Sequence, residues 1–355
     1  MKWRKARLEE VALLKRGKYV TRNSTREGTV PVILGGQEPA YYCDEANHTG
    51  PCIVVSRSGA SAGFVSYWNE PIFVTDGFLF EANEDTTIRY LYYCLKSNQA
   101  LLGHMQNGTG IPHVRGEDLK RFQIDLPPLP IQQKIAEVLG AYDDLIENNR
   151  RRIALLEKMA RELYRERFVR RKGNRRLVSI NEVCTVQYGY AFNGKLFNET
   201  GNGLPIIRIR NIPLGQSSDF TCEEAPDCYR VTDGEILVGM DGEFHINLWS
   251  GGEAFLVQRS CCFRPFDKSL KGYLIEAIRA PIKYFESAAM GATVGHLGKK
   301  DIDTITISLP SEGEKRIFAE WFDERLSLAL QNRNLAKQRD RLLPRLMSGR
   351  LEVRG

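Results

Sequence analysis

Two kinds of hydrophobic periodicity alternate along the chain. Phe122, Ile124 and Leu126 alternate with polar neighbours and stop at Pro127; Ile305, Ile307 and Leu309 do the same before Pro310. A period of two closed by proline predicts a half-buried strand in each place. The period then lengthens. Apolar or small residues recur at Ile135, Leu139, Tyr142, Ile146, Ile153, Leu156, Ala160 and Leu163, with Asn149 as one polar member. This four-three spacing is a heptad seam. From Ile135 to Phe168 the sequence has no proline and one glycine, Gly140. Such a helix would be on the order of 50 Å long at 1.5 Å per residue. A second seam runs through Ile317, Trp321, Glu324, Leu328, Gln331, Leu335, Gln338 and Leu342, with Gln331 in the place of Asn149. Pro344 is expected to kink or tighten the end of that helix, and Gly349 suits its terminus. Neither helix is apolar enough to stand alone. They are expected to pack on each other rather than to lie separately on their own domains.

The two strand-then-helix passages belong to a longer internal repeat. His113 to Pro127 lies over His296 to Pro310 with a constant shift of 183, matching the histidine, an aspartate, the apolar positions and the Leu-Pro ending. Gly108 and Gly291 precede the two blocks at the same offset. Further upstream, Glu10-Val11 with Gly17 echoes Glu182-Val183 with Gly189, Val30 to Ile33 echoes Leu204 to Ile207, and Ile53 to Val55 echoes Ile236 to Val238. A tandem of two units with a common frame and divergent inserts follows. The expected organisation is a globular domain over 1–128, a helix over 129–172, a second domain over 173–310 and a second helix over 311–355. The basic stretch Arg170 to Arg176 reads as the linker.

Composition narrows the class. With 355 residues, 42% hydrophobic and 26% charged, the chain is an ordinary globular protein rather than a disordered or low-complexity one. Fifty Lys and Arg against 44 Asp and Glu leave a net charge of +6, which permits a polyanionic partner without demanding one. No apolar run approaches the roughly 18 residues that span a bilayer. The start, Met1 to Leu8, is basic without an apolar core, so a secretory signal is not expected. Eight scattered cysteines suit a reducing, cytoplasmic location better than a disulfide framework.

Catalytic signatures are weak. Gly189 to Lys195 has the spacing of a phosphate-binding loop, but Leu196 stands where a Ser or Thr should hold magnesium. The aromatic Tyr190 and Phe192 favour a structural turn there. Cys43, His48 and Cys52 lack the four-ligand, close-paired pattern of structural zinc. Pro127-Pro128 is the only Pro-Pro in the chain and is flanked by leucines, unlike the loop that grips a flipped base. No catalytic residues, metal ligands or cofactor site are assigned.

The divergent inserts carry polar and basic groups on Gly-rich turns. Arg57, Ser58 and Ser61 follow a β-rich run in the first; Arg208, Arg210 and Asn211, then His245 and Asn247, decorate the second. Arg and Asn are the residue types that read guanine and adenine edges in pairs of hydrogen bonds. His113 and His296 sit at equivalent loop positions, suited either to a phosphate contact or to closing the loop. These ten residues form the candidate DNA-binding set. Surface turns remain the alternative for each one singly.

Two variable domains, each ending in Gly-x4-His, a short strand, Leu-Pro and a long helix, resemble the specificity subunits of type I restriction–modification systems. Ile124 to Ala136 is similar to that family's first conserved region, and Arg341 to Leu351 to its second. Leu309-Pro310-Ser311-Glu312-Gly313 departs from the Pro-Leu-Pro of the first repeat, which should alter only the turn into the helix. The resemblance implies two α/β (α+β) target-recognition domains separated by an antiparallel pair of long helices, with approximate twofold symmetry. Each domain would read half of an interrupted site in double-stranded DNA. Half-sites one turn apart need readers roughly 34–36 Å apart. Two methyltransferase subunits would bring S-adenosylmethionine, and motor-nuclease restriction subunits would bring ATP and Mg, so this chain itself would bind no cofactor and no membrane. The alternatives are the specificity subunit of a fused nuclease–methyltransferase (type IIB-like) system, or a coiled-coil scaffold without a DNA role.

Overall fold

The apolar run at Cys52–Ser56 is buried at every position and forms the centre of a four-stranded antiparallel sheet. The computed structural model describes residues 3–105, 112–171, 175–289 and 295–353. It comprises two units, 1–144 with 336–355, and 145–335.

In the first unit the sheet order is Ala12–Arg16, Gly77–Ala82, Cys52–Ser56, Val65–Trp68. One face packs on the helix Ile88–Ser97 through Tyr90, Leu91 and Leu95, all fully buried with Ile53, Val55 and Phe80. The other face carries Val54 and Leu79 against Ile33, Ile72 and Val74, beneath a second sheet of Tyr41–Cys43, Val30–Ile33 and Phe73–Val74. The predicted strand at 122–126 is present at Gln123–Leu126, paired with Arg4–Arg7.

The second unit repeats the arrangement. Its sheet order is Cys184–Tyr188, Ser260–Pro265, Ile236–Gly239, Ile246–Leu248. The registers agree with the repeat: Ser56 faces Gly77, and 183 residues later Gly239 faces Ser260. The first strands, by contrast, are offset by 172 (Ala12 opposite Ala82, Cys184 opposite Pro265), so the second insert is longer. The extra chain supplies Phe197–Asn198 and Arg230–Val231, which widen the second sheet of this unit to five strands. The repeated glycines have a shared cause. A Cβ on Gly17 would lie 2.4 Å from the Thr75 carbonyl oxygen, and one on Gly189 would lie 2.0 Å from that of Val257.

The long helices run Leu129–Tyr164, continuing as a π-helical turn over Arg165–Arg170, and Glu312–Met347. The second passes through Pro344 without stopping and ends where Gly349 adopts φ 69°. Each helix contributes one end to each unit. In the first unit Ile135 and Leu139 join the core with Leu342, Leu343 and Leu346, and Arg339 binds Asp143. In the second unit Asn149 donates to Asn332 at 3.0 Å, and farther along Glu157 pairs with Arg325 at 2.6 Å, so the helices are antiparallel there.

The expected seam needs correction in the second helix. Ile135, Leu139, Ile146 and Asn149 are buried, and Ile153 and Leu156 are half-buried. In the second helix Leu328 is buried, but Ile317, Trp321, Leu335 and Leu342 are half-buried and Gln331 is exposed. The most buried positions include Phe318, Phe322 and Arg325, one residue on from the expected line. The cause is a second partner. Phe318 faces the core of its own domain, 5.7 Å from the Tyr273 ring, so the apolar face is wider than a two-helix seam. Asn149 accordingly donates to Asn332 at 3.0 Å, with Gln331 Oε1 farther off at 3.5 Å, and 149 to 332 is again a shift of 183. None of the described helices is long and apolar enough to cross a membrane.

Candidate nucleic-acid interface

In each unit the turn that leaves the central strand is stitched to the histidine loop. Gly59 N–H donates to the Pro112 carbonyl at 3.0 Å and Val114 N–H to that of Arg57 at 2.9 Å. In the second unit Gly242 N–H donates to Gly295 at 3.0 Å and Leu297 N–H to Met240 at 2.7 Å. All four residue pairs match at a shift of 183. Ser58 thereby lies beside His113, and Asp241 beside His296. Gly108 to Ile111, and Gly291 to Val294, lie outside the described residues.

The side chains over these ladders are charged, and their order is exchanged between the units. In the first, Asp76 accepts from Arg57 Nη1 at 3.3 Å and from the Ser58 hydroxyl. In the second, the acid occupies the position of Ser58. Asp241 Oδ1 lies 2.5 Å from His296 Nδ1, and Asp241 Oδ2 lies 3.2 Å from Nη1 of Arg259, which replaces Asp76. Arg16, Arg57, His113, Arg115 and Arg121 line a depression of about 530 Å³ in the first unit, with Glu117 and Asp118 at its side. Arg16 and Arg57 also line an adjoining one with the exposed Tyr19. Sequence reasoning missed Arg16, Arg115, Arg121, Asp76, Asp241 and Arg259. Applying the shift of 183 to Ser58 and Asp76 would have located the last two.

The other candidates separate into free and committed groups. Ser61 closes a tight turn through its carbonyl, which accepts from Phe64 N–H at 2.9 Å. Arg208 is half-buried, 5.7 Å over the Phe197 ring. Arg210 is committed: its Nε reaches the buried Asp219 at 3.2 Å, and its Nη2 bonds the other oxygen at 2.5 Å. Asn211 is buried and accepts from Arg208 N–H at 2.9 Å, closing a 3-10 turn. Asn247 donates to the carbonyls of Ile212 and Pro213 at 2.9 and 2.8 Å, while its oxygen accepts from Leu248 N–H at 2.9 Å and Arg325 at 2.6 Å. Asn247 is therefore structural, which corrects the expectation that it faces a base: a side chain whose donors and acceptor are engaged internally has little left for a base edge. Asn211 is withdrawn by burial, with its side-chain oxygen engaged in the turn. His245 is half-buried near Glu243 and lines a separate depression with Arg161, Arg165 and Arg279.

Candidate metal and nucleotide sites find structural uses. Burial and the neighbouring Glu81 push the Cys52 thiol up to about 12, and His48 Nδ1 lies 3.2 Å from the same Glu81. A thiol held that high is a poor source of the thiolate a metal needs. Tyr190 and Phe192 pack edge-to-face at 4.8 Å, with Phe255 and Tyr229 around them, and only a 3-10 turn follows at Gly194–Leu196. A phosphate-binding loop needs a helix N-terminus at that point.

The model of the type I restriction modification DNA specificity domain matches residues 1–158 and again 175–337. The EcoBI type I restriction enzyme specificity subunit of Escherichia coli is 30% identical over 151 residues, covering 42% of this chain and 32% of that protein. The chain thus spans about a third of that relative. The MjaIX specificity subunit of Methanocaldococcus jannaschii is 26% identical over 340 residues, covering 86% of this chain and 78% of that one. Among solved structures, the S subunit of a type I restriction-modification system from M. genitalium shares the fold, with a TM-score of 0.60 at 19% identity over 97% of this chain and 96% of that chain.

Proposed function

Because the chain belongs to the type I restriction modification DNA specificity domain family and carries that domain twice, we propose that it reads an interrupted, two-part sequence in double-stranded DNA. Each domain takes one half-site, and the long helices set the gap. The observation that carries this reading is the histidine ladder built at the same shift in both units, with Arg57 over one and Arg259 over the other. Arg57, Ser58, Ser61 and His113 face the first half-site; Arg208, His245 and His296 face the second.

The chain acts as the non-catalytic member of a larger machine. Two methyltransferase subunits dock on it and supply S-adenosylmethionine chemistry on adenine; motor-nuclease restriction subunits supply ATP- and Mg-dependent cleavage. The modest +6 charge supports that division, because partners that clamp the duplex share the phosphate neutralisation. A cytoplasmic site of action follows from this role. The scaffold alternative has no comparable support, since a DNA specificity domain matches both halves of the chain.

Exchanging roughly residues 1–125 for the corresponding domain of another such subunit tests the reading. Methylome sequencing of cells carrying the full complex should show one half-site replaced and the other kept. Replacement of both half-sites, or of neither, overturns it.

A further inference from the structure

Arg259 is the one non-glycine among the described residues with a left-handed backbone, at φ 71°; the other positive-φ positions are glycines. Glycine takes that conformation freely and arginine does not, so an arginine at this position points to a use for its side chain. The turn is tied down on both sides. Ser260 Oγ donates to the Val257 carbonyl at 2.5 Å, and the Arg259 carbonyl accepts from Met240 N–H at 2.9 Å. The guanidinium is exposed and is held from one side only. Its Nη1 lies 3.2 and 3.4 Å from the two oxygens of Asp241, which is also bonded to His296, while Nε and Nη2 have no acceptor among the described residues.

We propose that Arg259 is a base-reading residue of the second half-site, donating Nε–H and Nη2–H together to O6 and N7 of a guanine in the major groove. Asp241 is the positioning residue that holds the fork, and His296 holds Asp241. This rests on the DNA-reading role proposed above. A paired donor fork aimed at one purine edge is the commonest specific protein–base contact and discriminates roughly ten- to a hundredfold against other bases. Exchange of the acid between the strands explains how two domains with one frame read different sequences. In the first unit Asp76 occupies the Arg259 position and orients Arg57 from the opposite side. The arginine thus reaches the duplex from different strand ends in the two domains.

The test uses the full complex with its methyltransferase partner, expressed in cells whose DNA is then sequenced for methylation. Arg259→Gly relieves the backbone while removing the fork, so its thermal stability should not fall. Arg259→Lys keeps the charge without paired donation. Both variants should lose one guanine requirement in one half-site, leaving the other half-site and the gap unchanged. Asp241→Ala should relax the same base pair and no other. An unchanged motif in both Arg259 variants overturns the proposal, as does a uniform loss of methylation across sequences in Gly but not Lys, which is the mark of a phosphate contact. If the unaltered complex gives no two-part motif, the DNA-reading role itself fails, and the assignment with it.

Discussion

Asn149 and Asn332 face each other across the two long helices, Nδ2 of the first donating to Oδ1 of the second at 3.0 Å. They stand 183 positions apart, the same shift that relates His113 to His296. Asn149 is 1% exposed, and Asn332 also donates to the Ile146 carbonyl at 3.2 Å. An amide pair with one member buried in an apolar seam fixes register at some cost in stability. Asn149→Ala should destabilise the protein by about 1–2 kcal/mol, because it removes a buried amide and leaves the half-buried Asn332 oxygen without its donor. The double substitution of both residues by leucine should recover much of that loss. Urea unfolding of the two singles and the double checks the coupling; simple additivity would remove the pair from its register role.

A heptad removed from Ile135–Leu163, together with the facing segment of the second helix, should shorten the gap between half-sites by about three base pairs, from 1.5 Å per residue against 3.4 Å per base step. Neither half-site should change. Methylome sequencing reads both quantities at once, and an altered half-site with an unchanged gap would refute the assigned division of labour.

Arg325 is 8% exposed, between Glu157 at 2.6 Å and the Asn247 oxygen at 2.6 Å. Burial lowers its pKa below the ordinary guanidinium value, partly offset by Glu157. Arg325→Ala leaves Glu157 without its partner and should cost about 3 kcal/mol of stability. Arg325→Met should cost less, because its side chain refills the space. Thermal unfolding distinguishes them.

Glu314 accepts from both terminal nitrogens of Arg175 at 2.8 Å and from Ser311 N–H at 2.9 Å, and the Arg175 hydrogen bonds hold its carboxyl at about 2. A depressed folded pKa gives stability that is present above the ordinary value of 4.5 and is lost as pH falls toward 2. Stability measured by urea unfolding between those limits should therefore fall more steeply in the parent protein than in Glu314→Gln. Parallel curves would deny the ion pair that role.

Arg57 and Arg210 should now behave differently. Arg57→Ala should relax one position of the first half-site more than it weakens binding to random DNA. Arg210→Ala should instead lower stability by about 1–3 kcal/mol, since it leaves the buried Asp219 without its guanidinium. Binding titrations on specific and random duplexes, with a melting curve for each variant, separate the two effects.

What the sequence disclosed depended on how local each feature was. The strands near Ile124 and Ile307 and both long helices follow from periodicity, because side-chain spacing alone decides which face is buried. The second seam was misplaced by one residue because Phe318 answers to a domain core formed by Tyr273 and Phe168, remote in sequence. Asn247 was misjudged for the same reason: its partners, Ile212, Pro213 and Arg325, converge only on folding. Asp241, Arg259 and His296 span 55 residues and meet at one ladder, so no local motif announces them, although the repeat shift marks their positions.

The most direct measurement is selection of random-sequence duplex DNA by the chain in complex with its methyltransferase partner, followed by sequencing of the retained fragments. Two short blocks separated by a fixed non-specific gap are the predicted outcome. A single contiguous block, or no enrichment over input, would contradict the central claim that each repeated domain reads its own half of the site.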